Sequence, residues 1–455
     1  MTIAATPADG FDLEVQTLII GAGACGMVAA LAAQEAGQEV LVIEADPLPR
    51  GSTALSAGLI PAAGTRFQAA AGIADDAAIF AADIQRKAHD ENDPDLVAAL
   101  AAGSGPAIDW LAERFDLPFS VVTDFDYPGH ARRRMHGLPS RSGAELVDRL
   151  RQTCEAEGID IICERRATVL HHEAGRITGV TVALPDGSTE SIGCERLILA
   201  CNGYGGNRAM VAEHMPAISE ALWFGHDGNR GEAVLWGQAL GARTRHLGAY
   251  QGHGNVAHPH GILITWAVIT EGGVQVNLDG RRFWNEAQGY SEAARAVMGQ
   301  PQGQAWAIFD ARIAGIARQF ADFQAAEAQG AVKTAETVAE LAAVTGLPEA
   351  ALTRTLAAIP QGGTDAFGRS FHTPPLTPPY AAVRVTGALF HTQGGLDVTG
   401  TGRVRHTDGT LFPNLHAAGG AACGVSGTAD SGYLSGNGLL SAVVLGRAAG
   451  MDWPV

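Results

Sequence analysis

The chain has 455 residues, 46% hydrophobic and 17% charged, enough for two domains with a sizeable core. Its 31 basic and 48 acidic side chains give a formal charge of −17, which argues against the basic face that a nucleic-acid binder needs. Six cysteines without a C-x-x-C pair support no zinc site, c-type haem or redox dithiol, so no metal is expected. Residues 1–15 lack the basic start and apolar stretch of a signal peptide, and no apolar run of 18 is free of Gly or charge. The expectation is an acidic cytoplasmic enzyme with no membrane span.

Residues 15–20 form a β-branched run that leads into GAGACG (residues 21–26), and an alanine-rich helical stretch continues to about Gly37. A second run, residues 39–43, ends at Glu44, 18 residues after Gly26. Strand, glycine loop, helix, strand and acid is the order a dinucleotide site requires. Gly21, Gly23, Ala24 and Gly26 admit a pyrophosphate to the helix start, and Glu44 accepts from a ribose.

Residues 51–64 hold small and hydroxyl side chains, Ser52, Thr53, Gly58 and Leu59 among them, where a backbone has to approach something flat and polar. Helices are expected over 76–115, with Asp93 and Asp95 at a helix start. Residues 127–136, YPGHARRRMH, are the densest basic and aromatic cluster; a solvated basic turn accounts for it as well as a site does. A helix over 143–157 precedes strands at 160–163, 168–171 and 177–184, an Asp186-Gly187 turn, a strand at 196–200 and a second glycine turn around Asn202 and Gly203.

Residues 225–360 change character, with strand signals at 261–268 and 274–277 and then Ala- and Glu-rich helices at 291–298 and 310–358. Pro374, Pro375, Pro378 and Pro379 mark a return linker. The expected fold is α/β, a Rossmann-like FAD-binding domain of the GR2 flavoprotein type in two parts, 1–224 and 371–455. An α+β capping domain, 225–370, is inserted between them. The last glycine-rich loop, residues 419–436, opens a helical run near Asn437.

Six ordered segments carry a family likeness: GAGACG with Glu44, STALSAG (52–58), LILACNGYGGN (197–207), DGRRFWNE (279–286), HTQGGLDV (391–398) and YLSGNGLLSAVVLGR (433–447). The sequence resembles the FAD-dependent fumarate reductase and succinate dehydrogenase flavoprotein superfamily, and within it the 3-ketosteroid Δ1-dehydrogenase branch. That resemblance implies FAD, held by the residues above with Thr168, Gly419, Gly420, Gly438 and Leu439. No histidine stands in STALSAG, where covalent relatives attach the flavin, so non-covalent FAD is expected. An acid usual in the family falls on Gly420 here.

Fumarate reductases carry an arginine seven residues after the phenylalanine of the DGRRFWNE-type motif and another just before the closing glycine loop. Here these positions are Tyr290 and Tyr433, and the acid and arginine of the proton relay fall on Trp266 and Ile269. Steroid dehydrogenases place tyrosines at the first two positions, so the resemblance implies Tyr290 as base and Tyr433 as the donor that polarises a carbonyl. Tyr127, in DFDYPG, is a looser counterpart of the tyrosine that supports the base, and His253 that of the family's Q-x-H histidine. The implied reaction is α,β-dehydrogenation of a cyclic or steroid-like ketone with hydride passing to flavin N5, or its reverse on an enone. The alternative is a reductase of an unsaturated acid of the fumarate, urocanate or tricarballylate kind, and a flavin-binding protein without catalysis is the third reading. Arg132, Arg133 and Arg134 would favour an acid if one of them met the substrate. The chain carries no haem or iron–sulfur cysteine pattern, so no such carrier is expected within it, and its electron acceptor is unknown from the sequence.

Overall fold

A computed structural model describes residues 2–124 and 126–453. The chain divides into two compact units, one built from Met1–Met210, Gly225–Tyr250 and His391–Val455, the other from Val211–Phe224 and Gln251–Phe390. These divisions differ from breaks at 225 and 371. Residues 225–250 belong with the first unit, because Gly231 N–H donates to the Gly203 carbonyl (3.1 Å) and Asn229 donates to Ser52 (3.0 Å).

The first unit is organised on a sheet whose parallel heart is Asp160–Ile162, Val40–Ile43, Leu13–Ile20, Thr189–Leu199 and Leu411–Ala417, in that spatial order. These strands read as β-branched and leucine runs because a parallel sheet is covered on both faces, and Leu18, Ile19, Val42, Ile43, Leu197 and Ile198 are fully buried. Arg166–Glu173 and Arg176–Ala183 join on one side as an antiparallel pair, extended by Thr2–Ala5. The helix Ala24–Glu35 packs on the sheet through alanines so small that Gly450 can approach the Ala29 carbonyl.

In the second unit the 13-residue strand Tyr380–Thr392 pairs with Gln304–Asp310, Val332–Ala335 and Leu222–Trp223. The tract 261–268, expected as one strand, is the short strand Ile262–Leu263 followed by the helical turn Ala267–Thr270. Trp266, Val268 and Ile269 are buried there on packing, which outweighs their strand propensity. The tract 310–358 holds the helices Ala311–Ala317, Ala321–Ala328, Val338–Thr345 and Glu349–Ala357, interrupted by the strand Val332–Ala335. Among the described residues no helix is long and apolar enough to cross a membrane.

Candidate functional site

The glycine loop after Leu13–Ile20 is built for close approach. Gly21 has φ +106, and a Cβ there would stand 2.6 Å from the Ala200 carbonyl oxygen; one on Gly26 would stand 1.8 Å from the Gly21 oxygen. Gly23, the N-cap of Ala24–Glu35, has only the Thr53 hydroxyl nearby, at 3.5 Å from such a Cβ, so the helix start stays open. Glu44 accepts the Ala22 N–H at 2.7 Å and the Asp46 N–H at 3.0 Å, which fixes its carboxylate at the end of Val40–Ile43. Thr53 accepts the Ala24 N–H (3.2 Å), and Ser52 accepts from Asn202 (2.8 Å).

Other residues named from the sequence have packing roles in view. A Cβ on Gly58 would strike the Ser142 backbone, and Leu59 sits with Val122, Met135 and Tyr127 in a small apolar cluster. Thr168 donates its hydroxyl to the Thr181 carbonyl within the sheet (3.2 Å). Gly203 abuts Thr392, and Gly419 (φ +59) abuts Cys25. A Cβ on Gly420 would stand 2.2 Å from Asn202 Oδ1, so a side chain there would collide with Asn202 unless Asn202 moved. Leu439 is half-buried against the main core.

One buried acceptor was invisible in the sequence. Glu232, 6% exposed, opens the helix Glu232–Ala239, and its Oε2 has no hydrogen-bond partner among the described residues. Burial raises its pKa. An open helix start, fixed Glu44 and an unmatched buried acceptor suit the pyrophosphate and hydroxyls of a dinucleotide, so the residues present fit FAD.

Tyr433 stands just before the helical run that begins with Asn437–Leu440, passes through a π turn at Ser441–Leu445 and ends with Gly446–Met451. π turns recur at functional sites. The tyrosine is 7% exposed, and burial pushes it up to about 12, with the backbone N–H groups of Gly436 and Gly438 pulling the other way at its oxygen. It is therefore a phenol at neutral pH, already hydrogen-bonded as an acceptor from the backbone. The His391 ring meets it edge to face, with centroids 5.5 Å apart, and burial lowers that histidine to about 4.

The segment 127–136 packs on the same loop. His130 Nε2 donates to the Ser435 carbonyl (2.9 Å), and a Cβ on Gly129 would touch Leu434. Tyr127 is half-buried, with its pKa raised by burial, and lines a recess of about 10 Å³, room for no more than a water. Phe125 of DFDYPG lies outside the described residues. Arg134 is 1% exposed, and its guanidinium is shared between Asp75 (2.9 and 3.0 Å) and Asp83 (2.7 Å) over the Phe80 ring. Arg133 pairs with Asp126 in solvent and Arg132 donates to the Ala74 carbonyl.

In the second unit Tyr290 is the first residue of the helix Tyr290–Met298, released from the preceding turn by Gly289 at φ +135. Its ring stacks on His253 (5.1 Å, 18° between planes), which stacks in turn on Phe390 (5.5 Å) while Trp266 meets it edge-on. The stack forms because glycines flank the histidine: a Cβ on Gly254 would lie 2.4 Å from the Ala293 backbone, and Gly252 N–H donates to Ser291 Oγ (3.0 Å). Burial pushes His253 down to about 3, and its Nδ1 accepts the Asn255 N–H (3.2 Å), so the ring is neutral with its proton on Nε2.

The arginine and acid of DGRRFWNE hold this helix start in place. Arg282 donates twice to Glu286 (2.9 and 2.5 Å) and also to Asp365, and Arg369 pairs with Glu286 at 3.1 Å. Glu286 also accepts the Gln275 N–H (3.0 Å). Trp266 and Ile269, standing where fumarate reductases carry relay residues, are packed in the apolar core.

Comparison with known proteins agrees with this geometry. The family model described as "FAD binding domain" matches residues 16–439. The chain is 32% identical over 458 residues to "Probable fumarate reductase Ifc3" of Shewanella frigidimarina, covering 98% of this chain and 75% of that protein. An open flavocytochrome c3 fumarate reductase structure superposes with TM-score 0.83 at 30% identity, over 98% of this chain and 78% of that one. A 3-ketosteroid-Δ4-(5α)-dehydrogenase of Rhodococcus jostii RHA1, in complex with 4-androstene-3,17-dione, superposes with TM-score 0.79 at 26% identity over 99% of both chains. With the nucleotide cradle and the matched length together, the chain belongs to the FAD binding domain family and is an FAD-dependent oxidoreductase of the fumarate reductase and ketosteroid dehydrogenase superfamily.

Proposed function

We propose that the protein removes two hydrogens from adjacent carbons beside a ketone, an α,β-dehydrogenation, with Tyr290 as base and Tyr433 as the donor to the carbonyl. The observation that carries this reading is the setting of Tyr433: it is buried just before the helical run that begins at Asn437, and burial raises its pKa, so that it is a phenol able to donate at neutral pH. A preorganised donor of that kind in a dry site is worth roughly 3 to 4 kcal/mol to a developing enolate oxygen. Tyr290 takes the α-proton. Its place in the first turn of a helix suits a group that carries negative charge during the step. His253, held neutral, supports Tyr290 by stacking and not as a cation. Bound non-covalently by the glycine loops, Glu44, Ser52, Thr53, Asn202 and Glu232, FAD supplies the hydride acceptor.

Three arginines with buried side chains support an uncharged substrate. Arg134, Arg282 and Arg369 are each spent on buried carboxylates, and recruiting one to a substrate acid would strand those carboxylates. A second reading, reduction of an activated C=C bond in an unsaturated acid or an enone, has in its favour the similarity to Ifc3 and to flavocytochrome c3.

The deciding experiment assays cyclic ketones with an oxidised dye beside fumarate, urocanate and enones with a reduced dye. Turnover of the ketones and enones is expected, and turnover of the acids alone overturns the proposal. In the same assay Tyr290→Phe should keep the flavin spectrum and lose on the order of a hundredfold in turnover. Unchanged turnover would remove Tyr290 as base.

A further inference from the structure

The basic and aromatic segment 127–136 reaches Tyr433 through a single peptide group. His130 Nε2 stands 2.9 Å from the Ser435 carbonyl oxygen. A carbonyl oxygen only accepts, so that nitrogen carries the proton; with the ring turned over, a C–H would meet the oxygen instead. The other nitrogen, Nδ1, is buried without a hydrogen-bond partner among the described residues, so a proton there would have no acceptor. Burial, helped by the Arg134 guanidinium and opposed by Asp83 and Asp75, lowers this histidine to about 4. It is a neutral donor at neutral pH.

The donor is aimed by the residues on both sides of it. Ala131 N–H donates to Asp83 (2.7 Å), and Arg86 donates to the Gly129 carbonyl (2.9 Å). Asp83 and Asp75 are paired in turn with buried Arg134, which closes the frame. Gly129, at φ +86, lets the turn lie against the closing loop, since a Cβ there would stand 2.6 Å from Leu434. On the receiving side, the Ser435 carbonyl and the Gly436 N–H belong to one peptide group. Gly436 has φ +88, and a Cβ on it would stand 2.6 Å from Pro61, so the setting of that peptide depends on glycine. Its N–H is one of the two backbone donors at the Tyr433 oxygen. A bond to the carbonyl also strengthens the N–H, because hydrogen bonds in a chain polarise one another.

We infer that His130 is a positioning residue for Tyr433: by donating to the Ser435 carbonyl it sets the Ser435–Gly436 peptide, whose N–H holds the tyrosine oxygen in place. The densest basic cluster of the chain thereby has a task behind the phenol, with Arg134 as part of its frame. The consequence for catalysis rests on the ketone reading above, but the chain of bonds does not.

The test follows the Gly436 amide in FAD-loaded enzyme labelled with ¹³C-carbonyl serine and ¹⁵N-glycine, which reports only the five Ser–Gly peptides of the sequence. Ser435→Ala assigns the signal by its loss. Tyr433→Phe removes the oxygen and should move the signal, and His130→Leu should move it too. His130→Gln brings an amide NH₂ to the place of Nε2 and should leave the signal near its wild-type position. With the ketones, enones and acids of the assay above, kcat should fall on the order of tenfold to a hundredfold in His130→Leu, with KM and flavin content little changed. His130→Gln should recover most of that loss. A signal unmoved by His130→Leu overturns the inference, as does a loss that His130→Gln does not rescue. If His130→Leu does not fold, a two-bond ¹H–¹⁵N spectrum of wild-type histidines decides: Nε2 protonated supports the inference, and Nε2 bare overturns it. A signal that moves as expected in an enzyme that turns over only acids would leave His130 in its role and sink the ketone reading.

Discussion

Two tyrosines sit in opposite settings, and the contrast separates their chemistry. Tyr433, in the first unit, meets a histidine edge-on and is buried, which keeps it a phenol although backbone N–H groups at its oxygen pull the other way. Tyr290, in the second, lies half-buried on the first turn of a helix, face to face with a histidine that burial keeps neutral. On the proposed reading these identical side chains serve unlike tasks, Tyr433 donating a hydrogen bond to the carbonyl and Tyr290 taking the α-proton.

The largest effect should come from Tyr433→Phe. It removes the proton while the ring and the packing against His391 remain, so flavin content should hold and turnover should fall by about two to three orders of magnitude. A loss under tenfold would mean that the buried phenol is only a wall of the pocket, and the contrast would collapse.

The second effect is in acid stability and concerns the histidine under Tyr290. His253 is lowered to about 3 in the fold, against an ordinary value near 6.5 in the unfolded chain. Between those values the unfolded state binds a proton that the folded state refuses. Stability is therefore intact above about pH 6.5 and falls as pH drops toward 3, at about 1.4 kcal/mol per pH unit for this one group. His253→Phe keeps an aromatic ring in the stack and should flatten the fall by about one proton, as read from chemical denaturation at pH 4, 5 and 6. An unchanged slope would mean that His253 charges within the fold.

How far the sequence disclosed this arrangement depended on the kind of signal. Gly21, Gly23, Gly26 and Glu44 were legible because a close-approach loop admits almost no other residues, and φ +106 at Gly21 shows the constraint. The parallel strands were legible from unbroken apolar runs. Tyr290 and Tyr433 stood out only against relatives, since one tyrosine in a polar loop has no local signature. Glu232 could not be found, because burial of a single carboxylate comes from elements distant in the chain. Residues 225–250 pack with the first unit for a similar reason: the bonds that tie them reach back to Ser52 and Gly203.

The smallest effect tests how firmly the Tyr290 stack is held. Ser291 Oγ accepts the N–H of buried Gly252, the residue before His253. Ser291→Ala leaves that N–H without its acceptor, at a cost of about 1 to 2 kcal/mol. Because the bond fixes the strand that carries His253 and not the tyrosine itself, turnover should fall only a few-fold, well short of the Tyr290→Phe loss. A loss as deep as that of Tyr290→Phe would show that strand placement, and not the phenol, limits the step.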